Sequence, residues 1–242
     1  MNTKTPFFLA SFLILSACAG SNSAQSDPFE TFNRSMFAVN QGLDKAILKP
    51  AAQVYGVIPQ PIRSGVGNVL SNLSLPVTFF NQTLQGEVSS AGNTLARLSI
   101  NSTVGVLGIF DVATGLGLER EREDFGQTLA VYGVDAGPYI FLPILGPGNP
   151  RDLIGRAGDT LMDPIYWAGN NDDEDEIRFG ITLISGIHAR EGALELLDEL
   201  ENTSVDYYAT VRSLYIQNRE SEINNGATDI DALPEIDDFD DF

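Results

Sequence analysis

The chain has 242 residues, with 33 Asp and Glu against 14 Lys and Arg, a formal net charge of −19. That balance argues against nucleic-acid binding, because no basic patch exists to neutralise phosphates. The single cysteine, Cys18, rules out an intrachain disulfide, so stability must come from packing, which an apolar fraction of 43% can supply. Much of the acidity is local: the run Asp172 to Glu176 and the end of the chain from Glu220 to Phe242 contain no Lys or Arg. Such blocks read as solvated loops and tails, and the rest of the chain is only modestly acidic.

The N-terminus has secretory order, with Lys4, then the apolar stretch Phe7 to Leu15, then the small residues Ser16 and Ala17. Leu15-Ser16-Ala17-Cys18 matches the lipobox of bacterial lipoproteins, in which the cysteine sulfur is lipidated and the chain is cut before it. An ordinary secretory leader with a cysteine near its cut is the alternative. Acyl chains contribute roughly 0.8 kcal/mol per buried methylene, so a multiply acylated Cys18 would be a lasting anchor. Ala19, standing where Asp would retain a lipoprotein at the inner membrane, favours the outer membrane of a Gram-negative bacterium. The expected organisation is a signal peptide over residues 1–17, a flexible tether over 18–26 carrying lipidated Cys18, a helical domain over 27–226, and an acidic, disordered tail over 227–242.

Asp27-Pro28 is read as cap and first residue of a helix whose apolar stripe comprises Phe29, Phe32, Met36, Val39, Leu43 and Ile47, ended by Pro50. Phe29, Phe32, Met36 and Phe37 are candidates for contact with a membrane interface, although a first core helix would show the same stripe. A second helix is expected after Pro59-Gln60-Pro61. The stretch Val66 to Gly86 has no charged residue but many amides, with Pro76 as a break. It is too polar to span a bilayer, and suits either a headgroup zone or a buried helix.

Glu87 to Ile100 reads as helix, with Asn101-Ser102-Thr103 as a cap. Val104 to Ala113 is apolar and glycine-rich, which demands a tight neighbour or an apolar solvent. Glu119 to Asp124 is expected to be a charged loop at the water side. The block Phe125 to Gly133, continuing through Gly137-Pro138 to Gly148, is read as extended strand or loop because its prolines exclude a continuous helix. Helices are expected again over Arg151 to Leu161, Ile177 to Ile187, His188 to Glu201 and Val205 to Ile223, with Tyr208, Val211, Tyr215 and Ile216 on one side of the last.

The search for chemistry yields no catalytic set, no metal set and no phosphate loop. The only histidine, His188, is expected to be an exposed helical residue. No cofactor is implied.

Particular residues nevertheless carry a resemblance. They include Asp27-Pro28-Phe29-Glu30 with Asn33-Arg34, Phe37 and Asn40, then Arg63, Asn68, Asn81, Leu84-Gln85-Gly86, Arg97 and Asn101-Ser102-Thr103. The densest run is Asp124-Phe125-Gly126-Gln127-Thr128-Leu129, Gly133, Gly137-Pro138-Tyr139, Leu142-Pro143, Gly146-Pro147 and Arg151-Asp152, followed by Arg212, Tyr215 and Arg219 near the end. Together they resemble the MlaA (VacJ) family of outer-membrane lipoproteins.

The resemblance implies a mainly α-helical fold, a ring-like bundle of amphipathic helices embedded in one membrane leaflet, with short extended Gly/Pro-rich segments. It implies a non-enzymatic conduit that passes phospholipids misplaced in the outer leaflet to a soluble periplasmic carrier of an ATP-driven inner-membrane system, beside a trimeric porin. Within such a conduit Gly105, Gly108, Gly133 and Gly137 are candidates for a close-packed wall of the lipid path; serving only as turns and caps is the alternative. A surface lipoprotein that merely displays a helical domain, and a lipid hydrolase, are the competing functions.

Overall fold

In the computed structural model, residues 27–167 and 172–226 are described. The leader, Cys18 with its tether, and the tail over 227–242 lie outside the described residues. Eleven helices and one two-stranded sheet follow in order: α1 Glu30–Leu43, a π-helical turn Asp44–Leu48, α2 Lys49–Gly56, α3 Gln60–Gln85, α4 Val88–Thr103, α5 Val112–Gly115, α6 Phe125–Val131, β1 Ile140–Leu142, β2 Gly146–Gly148, α7 Pro150–Met162, α8 Pro164–Trp167, α9 Asp172–Gly192, α10 Leu194–Thr203 and α11 Tyr207–Ile223. The chain is thus mainly helical, with its extended residues confined to one Gly/Pro-rich hairpin.

Several expectations need correction. The first helix starts at Glu30, because Asp27 is used otherwise: its carboxylate accepts from Phe29 N at 3.2 Å, from Asn33 Nδ2 at 2.9 Å and from the Tyr208 hydroxyl. Pro50 does not stop the helix. Its ring cannot donate to the preceding turn, and the π-helical turn just before it widens the ladder, with Lys49 N bonding back to Asp44 O. Pro76 likewise lies inside the unbroken α3. An internal proline costs roughly 3 kcal/mol, and α3 offsets this by packing against α4, α6, α7 and α9.

Asn101-Ser102-Thr103 is the last turn of α4 rather than a cap beyond it. Phe125 to Val131 is helix, not extended chain, since Asp124 caps it by accepting from Gln127 N at 2.9 Å. The acidic run expected as a loop begins α9 at Asp172.

Contacts between elements close on themselves. α1 meets β1, β1 pairs antiparallel with β2, and β2 meets α11; α11 meets α6, α6 meets α3, α3 meets α9, and α9 meets α2, which runs back into α1 through the π-helical turn. This circuit is the ring.

One small aromatic cluster joins its first and last helices. Tyr139, Phe141 and Tyr208 are buried against Met36, Phe37, Val211 and Tyr215. Phe37 meets Phe141, Tyr207 and Tyr208 edge-on at centroid separations of 5.3, 5.4 and 5.6 Å, a geometry favoured by the ring quadrupoles.

Candidate functional site

Burial in this protein runs against the usual rule. Among the described residues the buried hydrophobics are Ala52, Leu75, Ala91, Ala113, Tyr139, Phe141 and Tyr208, whereas buried polar residues are more than twice as many. Water drives apolar residues inward and leaves Asn, Gln and Arg outside; here the distribution is inverted, and each buried polar group needs a partner.

Asn33 and Asn40 on α1 supply partners to the hairpin. Phe141 N donates to Asn33 Oδ1 at 2.8 Å while Asn33 Nδ2 donates to Tyr139 O at 3.1 Å. Asn40 repeats the arrangement, taking Ile144 N at 2.8 Å and giving to Leu142 O at 3.0 Å. Seven helical residues rise about 10.5 Å, so Asn33 reaches β1 and its approach while Asn40 reaches the end of β1 and the turn after it.

Arg219 of α11 joins three elements. It donates to Asp124 at 2.6 and 2.7 Å and to Asp152 at 2.9 Å. Burial alone would lower its pKa, but the facing Asp124 and Asp152 raise it further above the ordinary guanidinium range. Tyr215 donates its hydroxyl to Asp152 at 2.5 Å, completing the link between α11 and α7.

A second clamp surrounds Arg97, which is 2% exposed and holds both Asp111 oxygens at 3.0 Å. Burial opposes ionisation of Asp111, yet hydrogen bonds from Thr114, Asn101 and Arg97 hold its pKa down at about 2. Asn81, fully buried, accepts from Thr128 at 2.8 Å and donates to Asp159 at 3.0 Å. Gln82 accepts from Thr94 at 2.7 Å.

A cavity of about 1080 Å³ lies on the side of the ring where α3, α6, α9 and α11 meet. α3 gives it a polar stripe, Ser64, Asn68, Ser71, Ser74 and Thr78, interleaved with Leu70, Leu73 and Val77. Those hydroxyls and the amide recur at helical spacing along one face, the sequence signal for this wall. α9 adds Ile181, Ser185 and His188 to the lining, and the segment before α6 adds Arg120, Arg122 and Glu123.

Hence Glu119 to Asp124 is not simply a water-side loop: Glu123 is only 7% exposed. Nor is His188 an exposed helical residue. It is half-buried, its Nδ1 lies 3.1 Å from the Tyr55 hydroxyl, and a Cβ on Gly67 would sit 2.5 Å from its Nε2.

The four candidate wall glycines fall elsewhere. Gly105 and Gly108 knit the turn after α4: a Cβ on Gly105 would lie 2.2 Å from Phe110 O, and one on Gly108 2.6 Å from Asn72 Cβ of α3. That turn carries φ values of 53° at Val106 and 58° at Leu107, left-handed backbone that costs these side chains energy. Gly133 ends α6 with open space around it, and Gly137 borders a smaller pocket of about 270 Å³ beside Arg151, Tyr139 and Tyr215. None of the four is among the residues lining the large cavity.

The four interfacial candidates divide. Phe29 and Phe32 are each 47% exposed, while Met36 and Phe37 turn inward to the aromatic cluster. With Val39, Leu43 and Ile47, the outer pair forms an exposed apolar stripe. Val54 of α2, Val57 just after it, Leu107 and Phe110 of the glycine-rich turn, and Phe179 of α9 are exposed as well. No described helix is long and apolar enough to cross a membrane, and no group of metal-ligating side chains occurs among the described residues.

A helical ring with a polar interior, a large cavity and an apolar skin is the class defined by this geometry. Residues 25–222 match the family model described as MlaA lipoprotein, and the chain belongs to that family. It is 34% identical over 237 residues to the intermembrane phospholipid transport system lipoprotein MlaA of Haemophilus influenzae, covering 93% of each chain. The Escherichia coli protein of the same name is 34% identical over 221 residues, covering 88% of this chain and 86% of that one. A solved structure reported as "Structural basis for maintenance of bacterial outer membrane lipid asymmetry" superposes with a TM-score of 0.73 at 35% identity, covering 83% of this chain and all of the other.

Proposed function

We propose that this chain is a non-enzymatic outer-membrane lipoprotein, anchored through Cys18, that passes phospholipids misplaced in the outer leaflet through its cavity toward the periplasm. The observation that carries the reading is the pairing of a cavity of about 1080 Å³, lined by alternating hydroxyl and apolar side chains of α3, with an outer surface of exposed Phe, Val and Leu. A lipid has a polar head and apolar tails, and the mixed wall offers both surfaces. The apolar skin matches interfacial helices, which bury one face at the acyl boundary. Phospholipid transport in the names of the relatives supports the same substrate.

A soluble periplasmic carrier would receive the lipid below the ring and deliver it to an ATP-driven inner-membrane complex, and a trimeric porin would flank the ring. A lipoprotein that only displays a helical domain has no use for such a cavity. The test is amine labelling of phosphatidylethanolamine in intact cells with a membrane-impermeant reagent. Cells lacking this chain should label more strongly than the parent, and re-expression should restore the parental level. Unchanged labelling on loss of the chain would contradict the proposal.

A further inference from the structure

The segment before α6 alternates acid and base: Glu119, Arg120, Glu121, Arg122, Glu123. Two of its acids are held by α3, with Gln82 Nε2 donating to Glu121 at 2.8 Å and Gln85 Nε2 to Glu123 at 2.9 Å. The arginines stand at the alternate positions, and both line the cavity.

Among the described residues neither guanidinium has a hydrogen-bond or ion-pair partner, although carboxylates share the same wall. Those acids are engaged elsewhere. Asp124 and Glu222 hold Arg219, and Glu191 holds Arg63. Asp159 accepts from Phe125 N and Asn81, and Asp163 accepts from Ile165 N. Burial, with Arg122 and Arg97 nearby, pulls the Arg120 pKa below its usual value. Both arginines stay exposed, so an anion entering the cavity meets two guanidinium groups that no carboxylate occupies.

We propose that Arg120 and Arg122 bind the phosphate of a phospholipid headgroup within the cavity. This rests on the reading of the cavity as a lipid path. Guanidinium groups match phosphate oxygens in paired, charge-assisted hydrogen bonds. The neighbouring Leu70, Leu73, Val77, Ile165 and Ile181 favour a lipid over free phosphate, since an inorganic ion has no use for an apolar wall.

The test uses the full, lipidated chain in detergent and three probes: radiolabelled dioctanoyl phosphatidylethanolamine, dioctanoylglycerol and inorganic phosphate. Replacing both residues (Arg120→Gln with Arg122→Gln) should weaken phosphatidylethanolamine binding by about tenfold or more, leaving dioctanoylglycerol binding unchanged. The double Lys variant should recover part of the loss. Undiminished phosphatidylethanolamine binding by the Gln variant would overturn this subsite while leaving the lipid cavity standing. Equal loss of both lipids would also overturn it, as a general structural defect. Binding of inorganic phosphate as tight as that of the lipid would replace it with a free-anion site. If the unaltered chain bound neither lipid, the cavity reading would fail and this proposal with it.

Discussion

Glu123 is the carboxyl whose surroundings most oppose its charge. Its pKa is raised from 4.5 to about 7, chiefly by burial, with the Gln85 hydrogen bond pulling the other way and Glu87, Asp124 and Glu121 adding repulsion. Asp159 is raised from 3.8 to about 6, again by burial first. A carboxyl with a raised folded pKa keeps a proton that the unfolded chain has released. Its contribution is therefore fully present below the unfolded pKa and is lost as pH climbs to the folded one. Asp111, lowered to about 2, acts in the opposite sense but only at more acid pH. The thermal midpoint of the detergent-solubilised chain should consequently fall between about pH 5 and about pH 8, and Glu123→Gln should flatten the upper part of that slope. A midpoint that rises over this range would contradict the assignment.

Asn33 permits a second prediction at the same scale. Asn33→Ala would leave Phe141 N without its acceptor in a buried site, at a cost of about 1–3 kcal/mol. Denaturant titration should show the lowered midpoint. Asn33, Asn40 and Asn81 were visible in the sequence as amides within apolar patterns. Their roles were not visible, because the partners of Asn33 and Asn40 lie some hundred residues away and only the fold brings them together.

Helix boundaries were legible where periodicity and caps agreed, and misread where a proline or glycine drew the eye. Pro50 and Pro76 promised breaks, but local propensity yielded to neighbours on several sides and to one π-helical turn. The helix Phe125–Val131 is masked in the sequence because the prolines that argue against it belong to the hairpin beyond, while its own cap is a single side chain, Asp124 accepting from Gln127 N. At Gly155 the backbones of α6 and α7 approach so closely that a Cβ would lie 2.5 Å from Gly126 N, a contact no periodicity reveals.

The exposed stripe of α1 gives this scale its prediction. Phe32, Val39 and Leu43 are exposed on one face, about a quarter-turn round the helix from the Asn33 and Asn40 amides that hold the hairpin. If that face lies in a bilayer, the chain should float with phospholipid vesicles even after Cys18→Ala removes the proposed anchor. Replacing Phe32, Val39 and Leu43 together by Ser should abolish flotation of the Cys18→Ala chain, because the buried apolar area provides the affinity. Equal flotation of both chains would show that α1 is not the interfacial surface.

For the whole molecule, the amount of hydrophobic sequence is ordinary; its placement is what differs. Composition showed a chain able to build a core, and the amide-rich stretch Val66 to Gly86 was too polar to span a bilayer and suited either a headgroup zone or a buried helix. The ring resolves this by setting that stretch against the cavity and turning much of the apolar surface outward. Gly105, Gly108, Gly133 and Gly137 lie outside the lining of the large cavity. Gly105 and Gly108 pack the turn onto α3, and substitution there should act through folding of that turn, with lowered stability as its readout.

Filling the cavity from its polar wall, with Ser71→Trp and Ser74→Trp together, tests the lipid path most directly. The plugged chain should remain abundant in the outer-membrane fraction, since neither serine joins the Arg219 or Arg97 clamps. Surface labelling of phosphatidylethanolamine in cells carrying it should rise to the level seen without the chain. A plugged chain that is folded, correctly placed and still keeps labelling at the parental level would contradict passage through the cavity.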